Sequence, residues 1–176
     1  MPLHYTAWSQ ALAEWRCTFT EERFYEWGGM PPVAIVERLA AEQGLTVPAD
    51  RVALRKEELY LELLPQVAAI AEVLDHVVAA RGRVPMAVVS GSPRESVVAT
   101  LRALELLDAF DTLVCAGDYA HGKPHPDPFV VAAARLGVPA QACLVFEDSD
   151  LGIEAAVAAG MAWVRVPPPW TRGSVR

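Results

Sequence analysis

Leu144-Val145-Phe146-Glu147-Asp148-Ser149-Asp150-Leu151-Gly152-Ile153-Glu154-Ala155-Ala156 decides the fold. An apolar, partly β-branched run passes through two carboxylates directly into a helical pattern over Ser149–Ala159, which is half of a strand–helix–strand unit. Working outward, Ala162–Val166 reads as a further strand. Upstream, Leu113–Cys115 is a strand, and so is Val84–Val89, bounded by Pro85 and by Ser90-Gly91-Ser92-Pro93. Between them the spacing predicts helices over 94–107, with Val97, Val98, Leu101 and Leu104 inward, and over Phe129–Leu136. Strands alternating with helices predict an α/β fold built on a Rossmann-like parallel sheet with helices on both faces. The continuous hydrophobicity of the strands predicts burial on both sides.

Residues 1–80 read differently, as helices alone. Leu3, Ala7, Ala11 and Trp15 recur at helical spacing. Thr20 is a candidate N-cap, with Glu21 and Glu22 in the first turn, and Gly28-Gly29 ends that helix. Pro31-Pro32 opens the next, with Ile35, Val36 and Leu39 on one face and Gly44 as its stop. Another starts at Pro48 and Asp50 and runs to about Leu64, where Pro65 interrupts it; a last one reaches about Ala80. The organisation is therefore a helical layer at 1–80 and a Rossmann-like half at 81–176, with Pro167-Pro168-Pro169 closing the fold.

Composition narrows the function. The 176 residues carry 15 Lys+Arg and 22 Asp+Glu, a formal charge of −7 with a pI near 5.1. That balance disfavours nucleic acid or an anionic membrane as partner. No run resembles a membrane span or a secretory signal, so a cytoplasmic location is expected. Cys17, Cys115 and Cys143 form no CxxC pair, and Cys115 and Cys143 lie in apolar runs that suit reduced core thiols. Zinc is not expected.

Open parallel sheets bind ligands beyond the carboxyl ends of their strands. After the first strand stand Ser90 and Gly91 at a helix start, which reads either as an anion site or as an ordinary N-cap turn. After the second, Lys123 sits between Gly122 and Pro124, either as a held point charge for phosphate oxygens or as a solvated lysine. His121 and His125 in the same loop could suggest a metal, but with no third ligand evident, solvent exposure is expected. After the third strand come Glu147 and Asp148, hard oxygen ligands suited to Mg²⁺. Asp148 or Ser149 could equally cap the following helix, whereas capping leaves Glu147 unexplained. Together a hydroxyl, a lysine and an acidic pair on one sheet edge form a phosphate-and-Mg²⁺ constellation.

These residues resemble the haloacid dehalogenase superfamily. Ser90 sits where its second motif has Ser or Thr, Lys123 in Gly-Lys-Pro-His-Pro-Asp-Pro-Phe matches the third, and Phe146–Ala156 with Ala159-Gly160-Met161 matches the fourth. The helical part, opening Pro2-Leu3-His4-Tyr5-Thr6-Ala7-Trp8, looks like the cap of the β-phosphoglucomutase-like subgroup, which includes sugar-phosphate phosphatases. The resemblance implies a Mg²⁺-dependent phosphatase of a small phosphorylated metabolite, with Ser90, Gly91 and Lys123 on phosphate, and Glu147 and Asp148 on the metal. His4 and Lys56 become candidate cap-side contacts, although Lys56 reads first as an exposed helical lysine. A mutase is the alternative enzyme, disfavoured because the stretch Gly29–Ala34 carries no arginine before Arg38.

One departure matters. The family's first motif, Asp-x-Asp-Gly-Thr/Val at the end of the first, central strand, supplies the nucleophile and the acid/base. Here the sole Asp-x-Asp is Asp148-Ser149-Asp150. The chain reads as starting just downstream of that motif, so the nucleophile is expected upstream of Met1 and the 176 residues alone are expected to be inactive. Either the start is misassigned or the chain is a truncated remnant or noncatalytic phospho-ligand binder. Loss of the central strand would expose two strand edges. A monomer is expected for the complete enzyme and self-association is open to the truncated chain.

Overall fold

The computed structural model of this chain describes residues 1–167; Pro168, Pro169 and Trp170 lie outside them. The N-terminal half is helical. Helix α1 spans Pro2–Ala13 and turns Ala7, Trp8, Ala11 and Leu12 inward. Trp15 falls past its end, where Arg16 adopts φ 55°. In α2 (Glu21–Glu26) the Thr20 hydroxyl accepts the Arg23 N–H at 3.4 Å, so the predicted N-cap forms. Helix α3 (Pro32–Gln43) begins on its proline and stops at Gly44, whose φ of 64° is the left-handed closure that glycine adopts without strain. Helix α4 (Ala49–Leu63) runs into a 3₁₀ turn at Leu64–Gln66, where Pro65 interrupts the α pattern, and α5 covers Ala71–Ala80. Leu12, Val36, Leu39 and Val52 are fully buried in one cluster shared by α1, α3 and α4.

The second half alternates as the sequence predicts: β1 (Ala87–Val89), α6 (Arg94–Ala103), β2 (Thr112–Val114), α7 (Asp127–Leu136), β3 (Leu144–Glu147), α8 (Asp150–Ala158) and β4 (Ala162–Arg165). The strands are parallel, and the fold is an α/β Rossmann type. Helix α6 is shorter than the predicted 94–107, because Glu105 takes φ 57° and breaks the helical path.

The strands do not form one ladder. β1 pairs with β2, Val88 opposite Leu113, and β3 pairs with β4, Phe146 opposite Val164; among the described residues no strand joins the pairs. This corrects the expectation of strands buried on both sides. Each strand has a hydrogen-bonded neighbour on one edge only, so β1 is half-buried throughout and all four residues of β4 are exposed. Cys143 is likewise half-exposed rather than a core thiol, while Cys115 is fully buried as expected. Among the described residues no single helix is long and apolar enough to cross a membrane.

Candidate active site

The carboxyl ends of β1 and β3 face the helical layer. Ser90 and Gly91 follow β1, Glu147 ends β3, and the loop after β2 brings in Lys123. A cleft of about 270 Å³ is lined by all of these together with Asp148, and by His4, Trp8, Trp27, Gly28, Gly29 and Lys56 from the helical layer. Every site residue read from the sequence therefore lines one cleft. A smaller cavity of about 140 Å³ shares His4, Ser90 and Ser92 with it and reaches Tyr60 and Ser96.

Glu147 is the most heavily engaged side chain. Its Oε2 accepts from Lys123 Nζ at 2.6 Å. Its Oε1 accepts the Asp148 N–H, the Ser149 N–H and the Ser149 hydroxyl at 3.1, 3.0 and 2.8 Å. Both members of the Lys123–Glu147 pair are about nine-tenths buried. Burial alone would raise the Glu147 pKa, but the charge and hydrogen bond of Lys123, with the hydrogen bonds from the Ser149 side chain and backbone, outweigh it and hold the carboxyl below its ordinary value. Asp148 moves the opposite way: burial first, then the neighbouring Glu147 charge, raise it. Two adjacent carboxylates that repel each other, Glu147 buried and Asp148 half-buried, form a hard-oxygen donor set, and a dication relieves that repulsion. The pair fits Mg²⁺. Ser149 Oγ also accepts the Gly152 N–H at 3.1 Å, so Ser149 rather than Asp148 caps α8.

Lys123 is held rather than solvated. Its ammonium lies 5.0 Å from the Phe129 ring centroid. Its stem crosses Gly29 of the cap, where a Cβ would stand 3.2 Å from Lys123 Cβ and the backbone φ is 100°. A Cβ at Gly28 would meet Ser149 Cβ at 2.9 Å. The Gly28-Gly29 pair thus does more than end α2: it lets cap backbone pass against the site.

Ser90 Oγ accepts the Ser92 N–H at 3.1 Å and keeps its own hydrogen for another acceptor. The Ser90 N–H goes to Val114 O at 2.8 Å, and Gly91 N–H has no partner among the described residues. The loop beyond β2 is fixed by Asp118. Its Oδ2 accepts from Arg94 at 2.7 Å and from Cys115 N at 2.8 Å, and its Oδ1 lies 3.1 Å from Arg135. The Arg135 and Cys115 hydrogen bonds bring its pKa from 3.8 down to about 2. Stability from a depressed carboxyl is present above the unfolded value and is lost as pH falls through the folded one. Asp118→Asn is therefore expected to lower stability at neutral pH by about 1 kcal/mol, since both arginines are solvent-screened. Acid titration followed by circular dichroism should show the gap to the parent closing between pH 3.8 and about 2.

The cap side departs most from the sequence reading. Lys56 is 3% exposed, not a surface lysine. Its ammonium pairs with Glu57 at 2.7 Å and lies 5.6 Å from the ring centroids of Trp8 and Tyr60. Burial lowers its pKa against the opposing pull of Glu57. His4 stacks on Tyr60 with ring centroids 3.8 Å apart, and its Nδ1 is buried without a hydrogen-bond partner. Burial, then the Lys56 charge, keep this imidazole neutral. Sequence reasoning missed two contacts that join cap to core: Ser96 donates to Glu57 at 2.7 Å, and Tyr60 and Thr100 hydroxyls meet at 2.8 Å. It also missed a third ligand-type group beside His121 and His125, namely Asp127; the His-x-x-x-His spacing was the available signal.

A parallel α/β half thus brings a lysine and an acidic pair to one cleft beneath a helical layer. The family description "haloacid dehalogenase-like hydrolase" matches residues 1–160, and the chain belongs to that family. It is 34% identical over 165 residues to the fructose-1-phosphate phosphatase YqaB of Escherichia coli K12, covering 94% of this chain and 88% of that protein. It is 29% identical to a phosphorylated carbohydrates phosphatase of Thermotoga maritima, covering 91% and 75%. In fold it is similar to CbbY from Rhodobacter sphaeroides, solved in complex with phosphate, with a TM-score of 0.82, 23% identity and coverage of 99% and 83%. By this resemblance it is a hydrolase of the phosphatase kind.

Proposed function

We propose that this chain is most of a Mg²⁺-dependent phosphatase acting on a small phosphorylated metabolite, a sugar phosphate by chemical class. The observation that carries the reading is the single cleft in which Ser90, Gly91, Lys123, Glu147 and Asp148 of the core meet His4 and Lys56 of the cap. The names of the two phosphatase relatives support the substrate class. Glu147 and Asp148 would hold the ion, which supplies positive charge against the phosphoryl oxygens. Ser90 Oγ–H and Gly91 N–H donate to those oxygens. Lys123, fixed by Glu147, offsets their charge. Lys56, held among aromatic rings and paired with Glu57, faces the rest of the substrate. The helical layer at 1–80 acts as the cap that excludes water from the core at 81–176.

In this reading the attacking carboxylate and the acid that protonates the leaving oxygen lie upstream of Met1, on a strand inserted between the β1–β2 and β3–β4 pairs. The purified 176-residue chain, assayed for phosphate release from fructose 1-phosphate and other sugar phosphates with Mg²⁺, is expected to show no turnover approaching ~1 s⁻¹. Turnover at that level would place the nucleophile within the 176 residues and overturn this part of the proposal. Micromolar binding in calorimetry without turnover, together with an in-frame stop just before the Met1 codon, would favour a noncatalytic binder. A mutase is disfavoured by a specific contact: Arg38 pairs with Glu42 at 3.2 Å and stacks on Trp27 at 4.2 Å, so it offers no second phosphate grip.

A further inference from the structure

We infer that His121, His125 and Asp127 form a binding site for a divalent transition-metal ion, separate from Glu147 and Asp148, on the loop that carries Lys123. Asp127 opens α7, and one of its oxygens accepts the His121 backbone N–H at 3.1 Å. The same oxygen lies 3.0 Å from His121 Nδ1, and the other lies 2.8 Å from His125 Nδ1. The two rings are 4.6 Å apart at their centroids.

Three candidate ligand atoms, one per residue, lie within 4.8 Å of one another. A tetrahedral ion with bonds of about 2.0–2.1 Å needs them about 3.4 Å apart. Both imidazoles are exposed on the loop, at 68% and 49% of their side-chain surface, and rotation of the rings closes that difference. The ion takes Nδ1 of each ring and one Asp127 oxygen; each imidazole then carries its proton on Nε2, and water completes the shell. Two imidazoles and one carboxylate select Zn²⁺, Ni²⁺ or Cu²⁺ over Mg²⁺, which prefers an all-oxygen shell. Because Gly122, Lys123 and Pro124 lie between the ligands in sequence, an ion here pins the loop that presents Lys123 to the cleft.

The test is calorimetric titration of the 176-residue chain with Zn²⁺ in excess Mg²⁺, with Co²⁺ absorption as the coordination readout. Neither requires turnover, so failure of the phosphatase reading leaves the result interpretable. One ion per chain is expected. His121→Gln, His125→Gln and Asp127→Asn should each weaken binding at least ~10-fold, the scale seen on removing even an outer-shell partner. Asp148→Asn and Cys143→Ser should leave it unchanged, with circular dichroism confirming that every variant folds. Absence of saturable binding below ~1 mM, parent-like affinity in the histidine variants, or loss in Cys143→Ser would overturn the assignment.

Discussion

Lys123→Ala should lower the thermal midpoint by about 6–20 °C at neutral pH. Removing one partner of a buried ion pair leaves the other charge uncompensated and costs about 3–5 kcal/mol. In chains of this size each kcal/mol moves the midpoint by about 2–4 °C. The charge left behind is Glu147, 8% exposed and next to the half-buried Asp148. The pH dependence gives the effect a signature. In the parent, Glu147 lies below its ordinary 4.5, so its contribution is present above that pH and is lost as pH falls through the lower folded value. In the variant, burial is no longer opposed by Lys123 and the carboxyl rises above 4.5. Its contribution then has the opposite sign, and the variant regains stability on going from pH 7.5 toward 4.5. Mg²⁺ should stabilise the variant more than the parent, because a dication supplies the missing counter-charge. Midpoints equal to the parent's from pH 7.5 to 4.5 would show that the pair does not form in solution.

Gly152→Ala is expected to be nearly as damaging, although it adds one methyl and removes nothing. A Cβ at Gly152 would overlap the Glu147 carboxylate and its Cγ. Either Glu147 leaves Lys123 and Ser149, or the first turn of α8 moves away from β3. Overpacking of this kind costs about 1–3 kcal/mol, and eviction of Glu147 adds a share of the ion-pair loss. The double variant Lys123→Ala/Gly152→Ala should be clearly less destabilised than the sum of the singles, since both act through one carboxylate. Calorimetric unfolding of the four proteins measures this, and strict additivity would mean that the methyl is accommodated without disturbing Glu147.

The legible parts of this molecule were those written in local chemistry. The Thr20 cap, the Gly44 stop and the Pro65 break follow from short-range backbone rules, and each forms where the spacing predicts. Ser90, Lys123, Glu147 and Asp148 stood out because each lies at or beyond the carboxyl end of a strand, and sheet topology sends such residues to one edge. Burial was less legible. Lys56 lies in a charged helical stretch, Arg55-Lys56-Glu57-Glu58, and nothing local says that it turns inward beneath Trp8 and Tyr60. The apolar run of β4 predicts an interior strand, but exposure depends on how many neighbours a strand finds, which is not encoded in the strand itself. Glu57 with Ser96, and Tyr60 with Thr100, join residues about 40 positions apart, and no periodicity announces such pairs.

Those two contacts have a consequence for motion. They are the polar bonds by which α4 of the cap grips α6 of the core, and one wall of the cleft comes from each side of that seam. Swinging the cap outward must give up both, one of them to a carboxylate, before any solute enters. At about 0.5–3 kcal/mol apiece, they bias the resting chain toward the shut arrangement by roughly one to several orders of magnitude. Parting the two halves at this seam therefore costs both bonds, and Ser96→Ala or Thr100→Val is expected to lower that cost while leaving Ser90, Lys123 and the acidic pair in place.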